Sequence, residues 1–269
     1  MKTKRIYLCE DSMEGIFTGI YDAWDSRYGH ENIRIQVVSK EDNAYNVELF
    51  SEYITVVTDN EKAFKVANSI RNKISEIAFS MVCHGAWSCE MDKGDVIYRF
   101  LILGFAMGNK VVNHLGNESV MKLYEMNRYV ANEAHNFLGF LRFIESEDQV
   151  LMAKIKPKND ILRLLAPHFA DRLSTEKFVI IDEKRKAAVV HESGGEWSYI
   201  KSDTIDFGRF DQYSKKEEEF MNLWKTFFDG IAIKERENLK LQRNHVPKRY
   251  RSNMTEFVTI KNKIEEREG

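Results

Sequence analysis

Arg5-Ile-Tyr-Leu-Cys-Glu-Asp-Ser-Met-Glu-Gly-Ile-Phe-Thr-Gly-Ile-Tyr-Asp-Ala-Trp24 decides the fold class, because two periodicities meet inside it. Residues 5–9 are a short apolar run of strand character, and Glu10-Asp11-Ser12 both stops it and can cap a helix. Met13, Ile16, Phe17, Ile20, Tyr21 and Trp24 then fall at the i, i+3, i+4, i+7 spacing of one buried helix face. A strand feeding directly into an amphipathic helix opens a layered fold of helices on a sheet.

Working outward, residues 33–38 and 53–58 read as strands rich in β-branched side chains. Asp59 or Asn60 caps a helix with the stripe Ala63, Val66, Ala67, Ile70, Ile74 and Ile77. A further helix is expected over about 95–114, apolar on most sides, as suits a central helix. Gly104 and Gly108 in it fit close helix packing, since the run to Lys110 lacks the spacing and the hydroxyl residue of a P-loop. The middle of the chain reads α-β-β-α-β-β. Leu123, Met126, Val130, Ala134, Phe137 and Leu138 mark a helix, and 140–145 with 150–155 form a hairpin. Ile161, Leu164, Leu165, Phe169 and Leu173 mark the next helix, which Pro167 is placed to break or restart, and 178–181 with 187–191 form a second hairpin. Phe220, Leu223, Trp224, Phe227, Phe228 and Ile231 then draw a broad apolar stripe, expected to dock on the rest of the protein with Trp224 largely buried. The expectation is an α+β protein: an N-terminal β-α-β-β-α part, an α-β-β-α-β-β part and a long C-terminal amphipathic helix. Residues 1–115 form the first region and 116–269 the second.

Composition bounds the function. With 43% hydrophobic and 30% charged residues over 269 positions, the chain has the balance of a packed globular protein. Its formal net charge of −2 supplies no global field toward nucleic acid or a membrane, so a polyanion site must be a local basic patch. Three cysteines, Cys9, Cys83 and Cys89, are too few and odd in number for a secreted disulfide framework. No apolar stretch approaches the ~20 residues of a membrane span, and the expected address is the cytoplasm. Cys83-His84 and Cys89 carry ligand-type side chains without a second pair to complete a metal site, and nothing reads as a cofactor loop.

Three constellations carry candidate chemistry. Glu133 and His135 are an acid and an imidazole, but residues two apart do not share a helix face. His168, Asp171 and Arg172 can meet on one helix face, either orienting a catalytic imidazole or forming an ordinary ion-pair network. Lys234, Arg236, Lys240, Arg243, Lys248, Arg249 and Arg251 crowd one short stretch with His245 and Tyr250, and Pro247 ends the helix there. That stretch is either a phosphate-binding surface or a solvated face. No Ser-His-Asp arrangement, nucleotide fingerprint or zinc-protease motif is visible.

Several blocks resemble one bacterial family. They are Leu223-Trp-Lys-Thr-Phe-Phe, Arg236-Glu-Asn-Leu-Lys-Leu-Gln-Arg and His245-Val-Pro-Lys-Arg-Tyr250, together with Glu133-Ala-His135, Gly139-Phe-Leu-Arg-Phe143, Pro167-His-Phe-Ala-Asp-Arg172 and the opening Cys9-Glu-Asp-Ser-Met-Glu-Gly. The family is one of DNA-metabolism proteins whose shared domain is labelled domain of unknown function 4130. Two positions depart from its pattern: Asn136 stands where a basic residue is expected, and Arg251 where an aromatic one is. The resemblance implies a role beside DNA, as the companion of a radical SAM protein of DNA modification or repair. In some relatives the domain is joined to a uracil-DNA-glycosylase-like domain. The chain itself lacks the cysteine triplet of a radical SAM cluster, so that chemistry would belong to the partner.

Three readings follow. The first is a DNA-metabolism protein that binds nucleic acid, or a nucleic-acid-processing partner, through Arg172, Lys240, Arg243, Lys248, Arg249, Tyr250 and Arg251. The second is a repair enzyme, hydrolase or glycosylase-like, using His135, His168 and Asp171. The third is a pure protein adapter. A deep pocket holding both histidines would favour the enzyme, and an open basic groove the binder.

Overall fold

β1 (Lys4–Glu10) is the middle strand of a parallel sheet of order β2-β1-β3, with β2 (Ile33–Val38) on one edge and β3 (Ser51–Thr55) on the other. Ile6 stands level with Arg34 on β2 and with Tyr53 on β3. Ile6, Tyr7, Leu8 and Cys9 are all buried, which is why this strand reads as an apolar run without alternation. The computed structural model describes residues 3–38, 48–201, 215–231, 238–254 and 257. The chain divides into two units, Met1–Asn132 and Glu133–Gly269.

In the first unit, Ser12 caps α1 (Met13–Asp25), its hydroxyl accepting the Gly15 N–H at 3.0 Å. A Cβ on Gly19 would fall 2.1 Å from Cys9 Sγ, so glycine there lets α1 lie directly on β1. Asp59 caps α2 (Asn60–Lys73) by accepting from the N–H groups of Glu61 and Lys62. The stripe does not continue to Ile77 as expected. α2 ends at Lys73, and Ser75 caps a separate helix, α3 (Glu76–Trp87), on which Ile77 is exposed. α4 (Lys93–Met107) is the expected central helix, with Val96, Ile97, Tyr98, Phe100 and Leu101 buried, but it ends short of residue 114. Gly108, with φ 64 and no atom within 4 Å of a Cβ, caps it instead of packing within it, and a 3-10 turn over Gly108–Asn113 follows. Ile74 packs on Gly104, where a Cβ would meet its Cδ1 at 2.6 Å. α5 (Glu118–Phe140) begins in the first unit and ends in the second.

The second unit carries a five-stranded sheet of order β4-β5-β6-β7-β8: β4 (Ile144–Glu145), β5 (Leu151–Ile155), β6 (Phe178–Asp182), β7 (Ala187–His191) and β8 (Trp197–Lys201). β5 and β6 are parallel and the other pairs antiparallel. The parallel pair needs a crossover, which is α6 (Leu162–Arg172). Pro167 sits inside α6 without ending it, and Leu162, Leu165, Ala166 and Phe169 are buried on both sides of it. The first strand of the expected hairpin shrinks to two residues, because α5 runs on to Phe140. β8 is an addition: its Trp-Ser-Tyr-Ile-Lys lacks a clean apolar alternation.

The chain's last third differs most from expectation. α7 (Lys215–Ile231) occupies the stripe, but Phe220, Leu223, Phe227 and Ile231 are exposed and Trp224 is 39% exposed. α8 (Leu239–His245) and a 3-10 segment, Lys248–Asn253, follow as separate short pieces rather than as one long helix. A regular apolar stripe sets the shape of a helix face but not what covers it, and here the buried anchors are Tyr250 and Met254. The side chain of Phe228, and Ile233, Lys234 and Arg236, lie outside the described residues. No helix among the described residues is long and apolar enough to cross a membrane.

Candidate nucleic-acid interface

The second unit is organised around a buried carboxylate. Glu133 is 3% exposed. Its Oε1 accepts the Lys158 N–H at 3.1 Å, and its Oε2 accepts both the backbone N–H of Asn159 at 2.8 Å and the side-chain amide at 2.7 Å. Arg249 Nη1 stands 3.2 Å from Oε1. A buried charge is tolerable only when donors and a counter-charge surround it, and this one has both. The loop after β5 supplies the N–H groups, and the C-terminal segment supplies the cation.

The same segment is fastened by Tyr250, which is 3% exposed. Its ring meets Phe137 edge-on at 5.0 Å and Phe140 at 5.2 Å, both on α5. Its hydroxyl accepts from Asn136 Nδ2 at 3.2 Å and from Arg249 Nη2, so the departure at Asn136 is built into the contact. The Arg249 guanidinium lies 4.6 Å over the Tyr250 ring. Arg251 Nε donates to the Val246 carbonyl at 2.9 Å, and its guanidinium lies 4.5 Å from the Phe257 ring.

These contacts correct part of the sequence reading. Tyr250 offers no open face for a base, and the charge of Arg249 is already matched by Glu133. Arg249 and Tyr250 anchor the segment, and Arg251 braces it internally. Lys240, Arg243 and Lys248 remain: each is exposed, and none makes an ion pair with another described residue.

Neither histidine candidate forms a cluster. His135 is exposed while Glu133 points inward, as positions two apart on a helix require. His168, Asp171 and Arg172 are all exposed, and no hydrogen bond or ion pair joins them. Neither histidine lines the cleft of about 320 Å³ between the last turns of α5 and α6. Leu141 and Phe169 are buried in it, Gly139 and Phe143 wall it, and Arg142 and Arg172 bring two guanidinium groups to it. Arg142 is braced, its Nη1 donating to the Gly139 carbonyl at 2.9 Å and the Leu141 carbonyl at 3.2 Å. Sequence spacing brings Arg172 forward but misses Arg142, whose counterpart across the cleft lies thirty residues on.

A second polar group holds the loop after β5 from its other side. Asp182 is fully buried and accepts from the N–H groups of Lys184 and Arg185 and from Arg185 Nη1 at 2.9 Å. Arg185 also donates to the carbonyls of Pro157 and Lys158. Burial pushes the carboxyl pKa of Asp160 and of Asp182 up, with Arg185 opposing it in both. Burial, then the charge of Asp160, pushes the Tyr199 phenol up, and Arg163 stands 4.3 Å over that ring. Among the ligand-type side chains of the first unit, Cys83 is buried with its Sγ 3.7 Å from Met13 Sδ, and burial pushes its thiol up to about 12. His84 Nδ1 pairs with Asn127 Oδ1 at 2.6 Å, and Cys89 is exposed. No group of three or more His, Cys, Asp or Glu among the described residues is placed to hold a metal ion.

Comparison with known proteins gives one broad match. The model of a family described as a domain of unknown function (DUF4130) matches residues 91–256, more than half of the chain. No curated protein matches. Among solved structures, one match is described as a DHH-domain member of a family of ribosomal proteins. It shares 11% identity, the alignment covers 71% of this chain and 74% of that one, and the TM-score of 0.34 is too low to show a shared fold.

Proposed function

The chain belongs to the family of the domain of unknown function 4130, and from its own residues we propose that it is a nucleic-acid-binding component of DNA metabolism. The observation that carries this reading is the division of labour in the C-terminal segment. Arg249 and Tyr250 fix it to the unit and Arg251 braces it internally, while Lys240, Arg243 and Lys248 stay exposed without an ion pair to a described residue. Cations held on an anchored scaffold can neutralise successive phosphates and release their counterions. Contacts of that kind position a strand and do not read its sequence. The cleft supports a binder over an enzyme, because it gathers arginines and neither His135 nor His168.

The test is a salt titration of oligonucleotide binding. Wild-type protein should bind short DNA at low salt and lose affinity as salt rises. Replacing Lys240, Arg243 and Lys248 together with alanine should weaken binding on every sequence and flatten the salt slope by about two units, at ~0.7–0.9 for each phosphate left without its cation. Equal slopes for the two proteins would reduce the segment to a solvated face.

The exposed stripe on α7 favours a second reading, in which the chain docks on the radical SAM partner that the family resemblance implies. Phe220, Leu223, Phe227 and Ile231 present apolar surface on one helix face. Binding to that partner should then be lost on Phe227→Glu and untouched by the triple alanine replacement.

A further inference from the structure

We infer that the cleft between α5 and α6 takes a single nucleotide, with its base against Phe143 and its phosphate on Arg172. This deepens the nucleic-acid reading and rests on it for the source of the nucleotide, a strand rather than the free pool.

Size comes first. About 320 Å³ lies at the small end of ligand sites. It suits one nucleoside monophosphate and excludes a base-paired duplex, so the nucleotide must be unpaired. The lining comes next. Leu141 and Phe169 are buried and Phe143 half-buried, and the two rings meet edge to face at 5.2 Å rather than stacked. Phe169 is too buried to offer a face and braces Phe143, so the half-buried Phe143 is the ring a base can lie against, and any base has a π face for it.

Charge then narrows the ligand. Arg172 is exposed and makes no hydrogen bond or ion pair with a described residue. Arg142 is set in the wall by two carbonyls before any ligand arrives. The cleft also lies at the C-terminal ends of two helices, where the helix dipole repels a bare anion. A ligand that satisfies this cleft needs a negative group for the guanidinium and a flat apolar body. A nucleotide has both, whereas inorganic phosphate has only the first.

Gly139 gives a test that spares the fold. A Cβ there would meet no atom within 4 Å, and its φ is not among the positive ones, so larger side chains fit the backbone and fill the cleft. The probe is a short single-stranded oligonucleotide carrying one fluorescent adenine analogue, with the free deoxynucleoside monophosphate as a second arm. Gly139→Leu and Arg172→Ala should each weaken oligonucleotide binding about tenfold, the scale of one charge-assisted contact. Both should abolish the fluorescence change, and inorganic phosphate should fail to compete. If the oligonucleotide binds and weakens on triple replacement of Lys240, Arg243 and Lys248, yet ignores Gly139→Leu and Arg172→Ala, the cleft inference is overturned and the nucleic-acid reading stands. If no strand binds at low salt but the monophosphate does, and Gly139→Leu removes it, the reading falls and the cleft remains a nucleotide site. Binding of neither overturns both.

Discussion

Glu133 and Arg249 form one ion pair with very unequal stakes. Glu133 is 3% exposed and receives three N–H donors besides the guanidinium, whereas the Arg249 side chain is 44% exposed. Removing the carboxylate strands those donors, so Glu133→Ala should cost about 3–5 kcal/mol in denaturant melts. Arg249→Ala leaves the carboxylate its N–H bonds and should cost about 1–2 kcal/mol. Equal losses would mean that the donors add nothing to the pair. Tyr250 extends the argument. Tyr250→Phe should cost about 1 kcal/mol, and Tyr250→Ala about 3–5 kcal/mol. A base-stacking tyrosine on the surface would show neither cost. The sequence can separate Glu133 from His135, because helix geometry forbids a shared face, but not say which one turns inward. Tyr250 reads as a surface residue because cations surround it locally. Its partners Phe137 and Phe140 are remote in the chain, and no local period links them.

Elements are legible where one face is buried against one neighbour, as in α1, whose stripe and Ser12 cap both appear in the structure. They are misread where a cap interrupts an apolar run. Ile70, Ile74 and Ile77 continue a helical period, yet Ser75 takes the capping position and turns the chain into α3. α7 shows the opposite failure, a clear stripe whose large side chains stay exposed. With Trp224 39% exposed, Trp224→Ala should cost less than about 1 kcal/mol rather than the several of a core tryptophan. A larger loss in a denaturant melt would place this helix back in the core. Gly139 in α5 predicts a gain. It carries the backbone entropy cost of glycine in a helix with open space around it, so Gly139→Ala should add about 0.4–1 kcal/mol. A destabilised variant would mean that the position is strained in some other way.

At the scale of the whole molecule, the two units should answer acid with opposite signs. In Met1–Asn132, burial holds the His84 imidazole below its ordinary 6.5, although the bond to Asn127 opposes the shift. A depressed folded-state pKa means that the unfolded chain takes up the proton first. The stability tied to His84 is therefore complete above the unfolded value and is lost as pH falls from there to the folded value. In Glu133–Gly269, burial raises Asp160 and Asp182 above their ordinary 3.8, with Arg185 facing both and Arg163 and Lys201 also facing Asp160. There the folded chain holds the proton more tightly, so those groups stabilise the fold as pH falls through the folded values toward the unfolded one. Hydrogen exchange at about pH 7.5 and about pH 5.5, corrected for the intrinsic rate, should show protection falling in α3 while β6 keeps or gains its own, because of these three groups only His84 crosses its unfolded value in that window. His84→Gln removes the titrating group and keeps a donor for Asn127, so it should erase the loss in α3. An equal loss in both units, or an undiminished loss in α3 of the variant, would show that acid acts on this protein through its general charge rather than through these three groups.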